Sequence, residues 1–223
     1  MPQGIHLALC TPQAATATLG EDGHPVRDDS QDSFLPPFPM PRRMWASSRM
    51  QVAAPIAIGA AMERRSKIVS VSEKDGGSGR LAFVDVEHVT RANGTVAVIE
   101  TQTLVYREAA VPDAPLSPPQ PGEAGFDPAG WDAHRVLTPD PRLLFRYSAL
   151  TFNAHRIHYD RDYARHVEGY DGLVVHGPLI ATLLVDHARR EISGLAPQHF
   201  SFRAEAPLFD TAAFDLCLAH SDY

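Results

Sequence analysis

The pattern of hydrophobic and polar positions changes three times along the chain, and the changes divide it into four regions. Residues 1–41 show little periodicity: Gly20-Glu21-Asp22-Gly23 and Arg27-Asp28-Asp29-Ser30 are turn chemistry, and Pro36, Pro37, Pro39 and Pro41 form an extended entry. From 42 to 108 the period is that of strands. Arg64–Glu73 alternates around Ile68, Val69 and Val71, Leu81–Val89 carries Leu81, Phe83 and Val86, and Thr95–Tyr106 is rich in Val, Ile and Thr. Asn93-Gly94 between the last two is a hairpin signal, because a type I′ turn needs positive φ at both central residues. Asp75-Gly76-Gly77-Ser78-Gly79 predicts a second turn, and the whole stretch an antiparallel meander.

The pattern then lapses. Residues 109–142 hold eight of the 19 prolines (Pro112, Pro115, Pro118, Pro119, Pro121, Pro128, Pro139 and Pro141) and predict a linker, since proline supplies no N–H to a sheet interior or a helix. It resumes at Leu143, with Leu143–Leu150 expected as a strand and a short helix near Tyr163–Val167. Leu179, Ile180, Leu183, Leu184 and Ala188 fall at helical spacing behind Gly177-Pro178, so a long helix is expected from there to about Ile192, with Gly194 at its end. His199–Ala206 and Ala213–Leu218 predict further strands.

Composition narrows the class. A chain of 223 residues with 44% hydrophobic and 21% charged residues can build a real core. Its net charge of −7 argues against nucleic acid as a partner. Local basic groups (Arg42, Arg43, Arg49; Arg64, Arg65, Lys67) still allow a small anionic ligand. Cys10 and Cys217 are too few for a disulfide framework or a four-ligand zinc site. Met50–Met62, the longest apolar stretch, contains Pro55 and Gly59 and is too short to span a bilayer. Ala15-Thr16-Ala17 resembles a cleavage site, but no basic segment precedes it. The expectation is a cytoplasmic chain with no membrane partner.

Candidate chemistry concentrates in two stretches. Asn153-Ala154-His155-Arg156-Ile157-His158-Tyr159-Asp160 places two histidines, a carboxamide, an arginine and a carboxylate within eight residues. Histidine carries protons near neutral pH, and a carboxamide orients water or a substrate oxygen without titrating. The same residues also read as a polar surface turn with Asp160 as a helix cap. A metal at His155 and His158 lacks a second ligand cluster, so none is expected. In the second stretch, Gly172–Pro178, the Gly177 N–H stands at a helix start, where backbone donors and the dipole suit an oxyanion. By themselves these residues read rather as an ordinary glycine cap, and the histidine stretch strengthens the functional reading. Neither GxGxxG, a Walker sequence nor GxSxG occurs.

The run Phe145–Asp160 and the following Glu168-Gly169-Tyr170-Asp171-Gly172-Leu173-Val174-Val175-His176-Gly177-Pro178-Leu179 resemble the MaoC-like hot-dog dehydratases, and most closely the hydroxyacyl-thioester dehydratase type 2 branch with its mesaconyl-C4-CoA and itaconyl-CoA hydratase-like members. Phe34-Leu35-Pro36-Pro37, Pro41–Ala46 and Val105-Tyr106-Arg107-Glu108 resemble the N-terminal, FAS1-like half of that branch. The resemblance covers about 20–110 and 143–210 and implies an α+β double hot dog, with half-domains at 1–108 and 143–223 joined by the linker. It implies reversible hydration of an enoyl thioester, with coenzyme A or a carrier protein part of the substrate and no separate cofactor. Catalytic roles fall on His158, Asn153 and His155, and thioester binding on Gly177, His176 and Val175. Arg156, Arg42 and Arg43 are candidates for a substrate carboxylate or coenzyme phosphates. Where relatives have the aspartate of their hydratase signature, this chain has Asn153. A central helix is evident only in the second half, so the expectation is a double hot dog incomplete at both ends, or completed by a partner in a homodimer or hetero-oligomer. An auxiliary acyl-thioester-binding subunit and a hot-dog thioesterase stand beside the hydratase as alternatives.

Overall fold

The computed structural model describes residues 1–26, 28, 30, 33–40, 42–76, 79–107, 120–122 and 126–220. Four long strands form the meander: β1 (Arg42–Val52), β2 (Met62–Gly76), β3 (Gly79–Ala92) and β4 (Thr95–Arg107). Asn93 and Gly94, at φ 49° and 80°, make the expected tight turn between β3 and β4. The turn residues Gly77 and Ser78, and Pro112, Pro115, Pro118 and Pro119 of the expected linker, lie outside the described residues.

Two expectations for 109–151 are corrected. The proline-rich stretch contains a strand, β5 (Ala133–Leu137), antiparallel to β7 (Phe214–Leu218). The strand expected over 143–150 is helix α1 (Pro141–Thr151). Asp140 accepts from the N–H groups of Arg142 and Leu143, and Pro141 occupies the first turn, where no N–H is needed. Leu144, Tyr147 and Ser148 then fall on one buried face. Two short turns of the chain later come α2 (Arg161–His166) and α3 (Gly177–Glu191), followed by β6 (His199–Arg203).

The main sheet has the order β2-β3-β4-β1-β6, antiparallel throughout, so β6 closes onto a strand more than 140 residues earlier in the chain. Its face is covered in two ways. Leu35, Phe38 and Met40 of the proline-rich entry pack on Ala82, Val84, Val86 and Tyr106. Toward β1 and β6, α3 lies across the sheet: Ala181, Thr182 and Val185 share a small apolar cavity with Met50, Val52 and Phe200. Among the described residues before β5, helical structure is limited to 3-10 turns at Ile5–Ala8 and Thr16–Thr18. A third cluster joins α1 to α3 through Leu144, Tyr147, Leu173, Val175 and Leu179. An irregularity between Trp45 and Ser47 shifts the alternation of β1, so Trp45 and Ser48 both face the covered side. Among the described residues no helix is long and apolar enough to cross a membrane.

Candidate active site

The histidine stretch follows a helix rather than a strand. Phe152 ends α1 in the left-handed conformation (φ 53°), and the Asn153 N–H returns to the Ser148 carbonyl at 2.9 Å. The Asn153 side-chain oxygen accepts from the His155 N–H at 3.0 Å, and Arg156–His158 form a 3-10 turn. Asp160 then caps α2 by accepting from the Tyr163 N–H at 3.0 Å. Two caps and a tight turn thus hold His155 and His158 on backbone with little freedom.

His158 is buried, with Nδ1 2.7 Å from the Val174 carbonyl. A carbonyl only accepts, so Nδ1 carries the proton and Nε2 keeps its lone pair. Val174 is itself fixed: its N–H donates to the Ile157 carbonyl at 2.9 Å and it bridges to Phe209. Next to that bridge Asp210 accepts from the Leu173 N–H at 2.9 Å and from the Arg161 guanidinium.

Two further rings touch His158. His176 stacks on it with centroids 3.6 Å apart, and His155 approaches edge-on at 5.4 Å. Nε2 of His176 shares a hydrogen with the Ser148 hydroxyl at 2.8 Å, with the edge of Tyr147 at 5.1 Å. His24 of the N-terminal segment lies 4.0 Å from His155. Burial drives the rings toward neutrality: His158 is pushed down to about 4, with the Val174 hydrogen bond opposing, and His176 to about 2, helped by His158. His155 also falls to about 2, through burial and then the charges of His24, His158, His176 and Arg43. At neutral pH these three imidazoles are bases.

His176 is also the residue before α3, so the Gly177 N–H opens at the helix start beside the same rings. The position of a side chain at 177 is already filled: a Cβ there would meet the Trp45 ring at 2.7 Å. Glycine therefore serves the packing of Trp45, which stacks on Phe202 of β6. Val175 is a core residue, its N–H on the Leu208 carbonyl at 2.8 Å. The three arginines separate. Arg156 is held by Asp160 (2.8 Å) and the Glu21 carbonyl, and Arg42 lies 3.9 Å from Glu168. Among the described residues Arg43 has no carboxylate within ion-pair distance, yet its charge reaches His155.

Several residues here carry no recognisable signal in the sequence. Ser148 is a plain helix position until His176 folds over it, and Asp210 belongs to no motif. Asp22 and His24 sit in a stretch of turn chemistry more than 120 residues from His155. The ligand atoms of Asp22, His24 and His155 lie within 4.8 Å of one another, a set able to hold a divalent ion; the pair His155 and His158 is not such a set.

The meander and its overlying helix give the chain the fold of solved MaoC-like dehydratases. A MaoC-like dehydratase superposes with a TM-score of 0.63 at 15% identity, covering 80% of this chain and 66% of that one. HtdX from Mycobacterium tuberculosis gives 0.55 at 22%, covering 80% and 67%. The family model for hydroxyacyl-thioester dehydratase type 2 matches residues 4–210, and the chain belongs to that family. It is 48% identical to the mesaconyl-C(4)-CoA hydratase of Chloroflexus aurantiacus over 220 residues, 97% of this chain and 74% of that protein. The fold is accordingly the α+β double hot dog expected from the sequence.

Proposed function

We propose that the chain is a hydro-lyase that reversibly adds water across the double bond of an enoyl thioester, and that its acyl group carries a second, free carboxylate, as mesaconyl-C4-CoA does. The observation that carries this reading is His158: its Nδ1–H is committed to the Val174 carbonyl, so Nε2 is left as a base beside the start of α3. In hydration Nε2 takes a proton from water as the oxygen bonds to the β-carbon. Charge moves onto the thioester oxygen, where the Gly177 N–H and the helix dipole stabilise it, and the α-carbon then takes the proton from the His158 imidazolium, which returns to its neutral form. Asn153, its oxygen occupied by the His155 N–H, keeps its amide hydrogens for the water or the 3-hydroxyl. Arg43, which among the described residues has no carboxylate within ion-pair distance, suits the second carboxylate.

The reading includes a cytoplasmic enzyme working as a pair of copies, for β2 and β6 end the main sheet as edges that can accept another strand. Light scattering of the purified chain tests the pairing.

The activity is tested by following enoyl absorbance with crotonyl-, mesaconyl- and itaconyl-CoA, with a thiol reagent present. Absorbance should fall without free thiol, fastest for a dicarboxylic substrate, and His158→Ala should slow it by about 10²–10⁴-fold. Arg43→Gln should raise KM for mesaconyl-CoA but not for crotonyl-CoA. Released thiol would instead identify a thioesterase, and a folded chain without turnover an auxiliary subunit.

A further inference from the structure

We infer that Asp22, His24 and His155 form a binding site for a first-row divalent cation, best matched by Zn²⁺, which clamps the N-terminal turn to the histidine loop. The inference concerns the donors alone and stands whether or not the chain is a hydratase.

The donor set selects the ion. Two imidazoles and one carboxylate suit Zn²⁺, whereas Ca²⁺ and Mg²⁺ take shells of oxygen and a soft ion such as Cu⁺ prefers sulfur. The ligand atoms of the three residues lie within 4.8 Å of one another. Asp22 Oδ2 and His24 Nδ1 stand 3.0 Å apart. Two ligands at about 2.0–2.1 Å from a tetrahedral ion stand about 3.3 Å apart, so the ion can take the place of the shared hydrogen while the ring keeps its proton on Nε2. The second carboxylate oxygen, Oδ1, accepts from the His24 N–H at 2.9 Å, which fixes the direction of Oδ2. Among the described residues the hydrogen bonds of His155 are those of its backbone N–H and carbonyl, which leaves its ring nitrogens uncommitted. The other histidine–carboxylate pairs, His6 with Glu100, His134 with Asp215 and His187 with Glu191, have among the described residues no third histidine, cysteine or carboxylate in reach.

The backbone holds the donors together without the ion. Gly20 N–H donates to the His24 carbonyl at 2.7 Å and Gly23 N–H to the Gly20 carbonyl at 3.0 Å, closing the turn. The Asp22 carbonyl accepts from the Arg156 N–H at 2.8 Å, and the Glu21 carbonyl from the Arg156 side chain at 3.1 Å. Gly23, at φ +85°, lies so close to the loop that a Cβ would stand 1.8 Å from the Ala154 carbonyl oxygen. This seat brings the His24 ring to 4.0 Å from that of His155, whose own N–H is held by Asn153. Donors ordered in advance lower the cost of binding. Arg43, whose charge reaches His155, opposes the cation, and the Asp22 carboxylate offsets it. Three protein ligands leave a position for water. In the hydratase reading His155 is then a ligand, and His158 keeps the role of base.

The test titrates the full chain, free of any affinity tag and stripped with EDTA, with Zn²⁺ alone at neutral pH, by calorimetry and by NMR of the imidazole rings. Asp22→Asn and His24→Gln are measured beside it, with His134→Gln as control and melting curves in Zn²⁺ and in EDTA. Asp22→Asn keeps an oxygen for the His24 N–H while removing the charge. The wild-type chain should bind one equivalent. Both site variants should weaken binding by at least about 100-fold, the upper end of what an outer-shell partner costs, and His134→Gln should not change it. Zn²⁺ should raise the melting temperature of the wild type and not that of Asp22→Asn, because the ion joins segments that are close only in the folded chain. In the wild type, where no substitution disturbs folding, Zn²⁺ should shift the ring resonances of His24 and His155 and leave that of His134 in place. A chain that binds no Zn²⁺ overturns the proposal. So does binding that survives both site substitutions, binding matched by Mg²⁺ or Ca²⁺, or a ring shift at His134 without one at His24 and His155. Zn²⁺ bound at the three residues with no rise in melting temperature overturns the clamp.

Discussion

His6 and the cluster of His155, His158 and His176 are histidines withdrawn from water in two regions of the molecule, and they solve the same electrostatic problem differently. His6 lies 3.5 Å from Glu100, which also accepts from Ser48 at 2.7 Å and from Gln102 at 3.1 Å. Burial opposes the charge on Glu100, but His6, Ser48 and Gln102 outweigh it and hold the carboxyl below its usual range. Among the described residues the rings of His155, His158 and His176 have no carboxylate within ion-pair distance, and burial leaves them neutral. A carboxylate in contact makes a buried histidine part of the framework. Withholding one keeps a lone pair for chemistry, at the cost of sensitivity to acid.

The sharpest break of this comparison is Glu100→Gln. It removes one partner of a buried pair and should cost about 3 kcal/mol in a urea titration, while kcat of the folded enzyme stays within about threefold. Next is Ser148→Ala, which leaves the buried Nε2 of His176 without a partner. It should cost about 2 kcal/mol and also change kcat, because His176 supports the face of His158. Gly177→Ala probes the start of α3 and should cost about 1–2 kcal/mol, read as a lower melting temperature, because the Trp45 ring must move.

The two groups also separate by pH. The histidines keep a lower pKa folded than the value of about 6.5 unfolded, so below pH 6.5 the unfolded chain binds more protons. Their stabilisation is full above that value and declines by about 1 kcal/mol per pH unit per group as pH falls, toward about pH 4 for His158. Glu100 adds its loss only below its ordinary value of 4.5. Urea midpoints measured at pH 7, 5.5 and 4 should therefore fall first through the histidine cluster and then through the pair. Smallest of all, Arg190→Ala breaks an exposed pair with Asp186 on α3 and should leave the urea midpoint almost unchanged.

How much of this was legible in the sequence depends on the range of the interaction. The meander, its Asn93-Gly94 turn and α3 follow from local periodicity and turn chemistry, and the structure has them where expected. The Asp140-Pro141 start of α1 was equally local, but the apolar run Leu143-Leu144-Phe145 also fits a strand over so short a length. The histidine motif identified the family and the loop, because its residues are consecutive and are held by local caps and turns. Tertiary structure alone decided what surrounds it. Only folding brings Gly23 against the Ala154 carbonyl, His24 beside the His155 ring, Ser148 under His176, Trp45 over Gly177 and β6 beside β1. The sequence by itself determined the local elements and the chemical types on the loop, since those depend on neighbours within a few residues. Which ring is neutral and which has a carboxylate depended on burial and on contacts between distant segments, and these exist only in the packed chain.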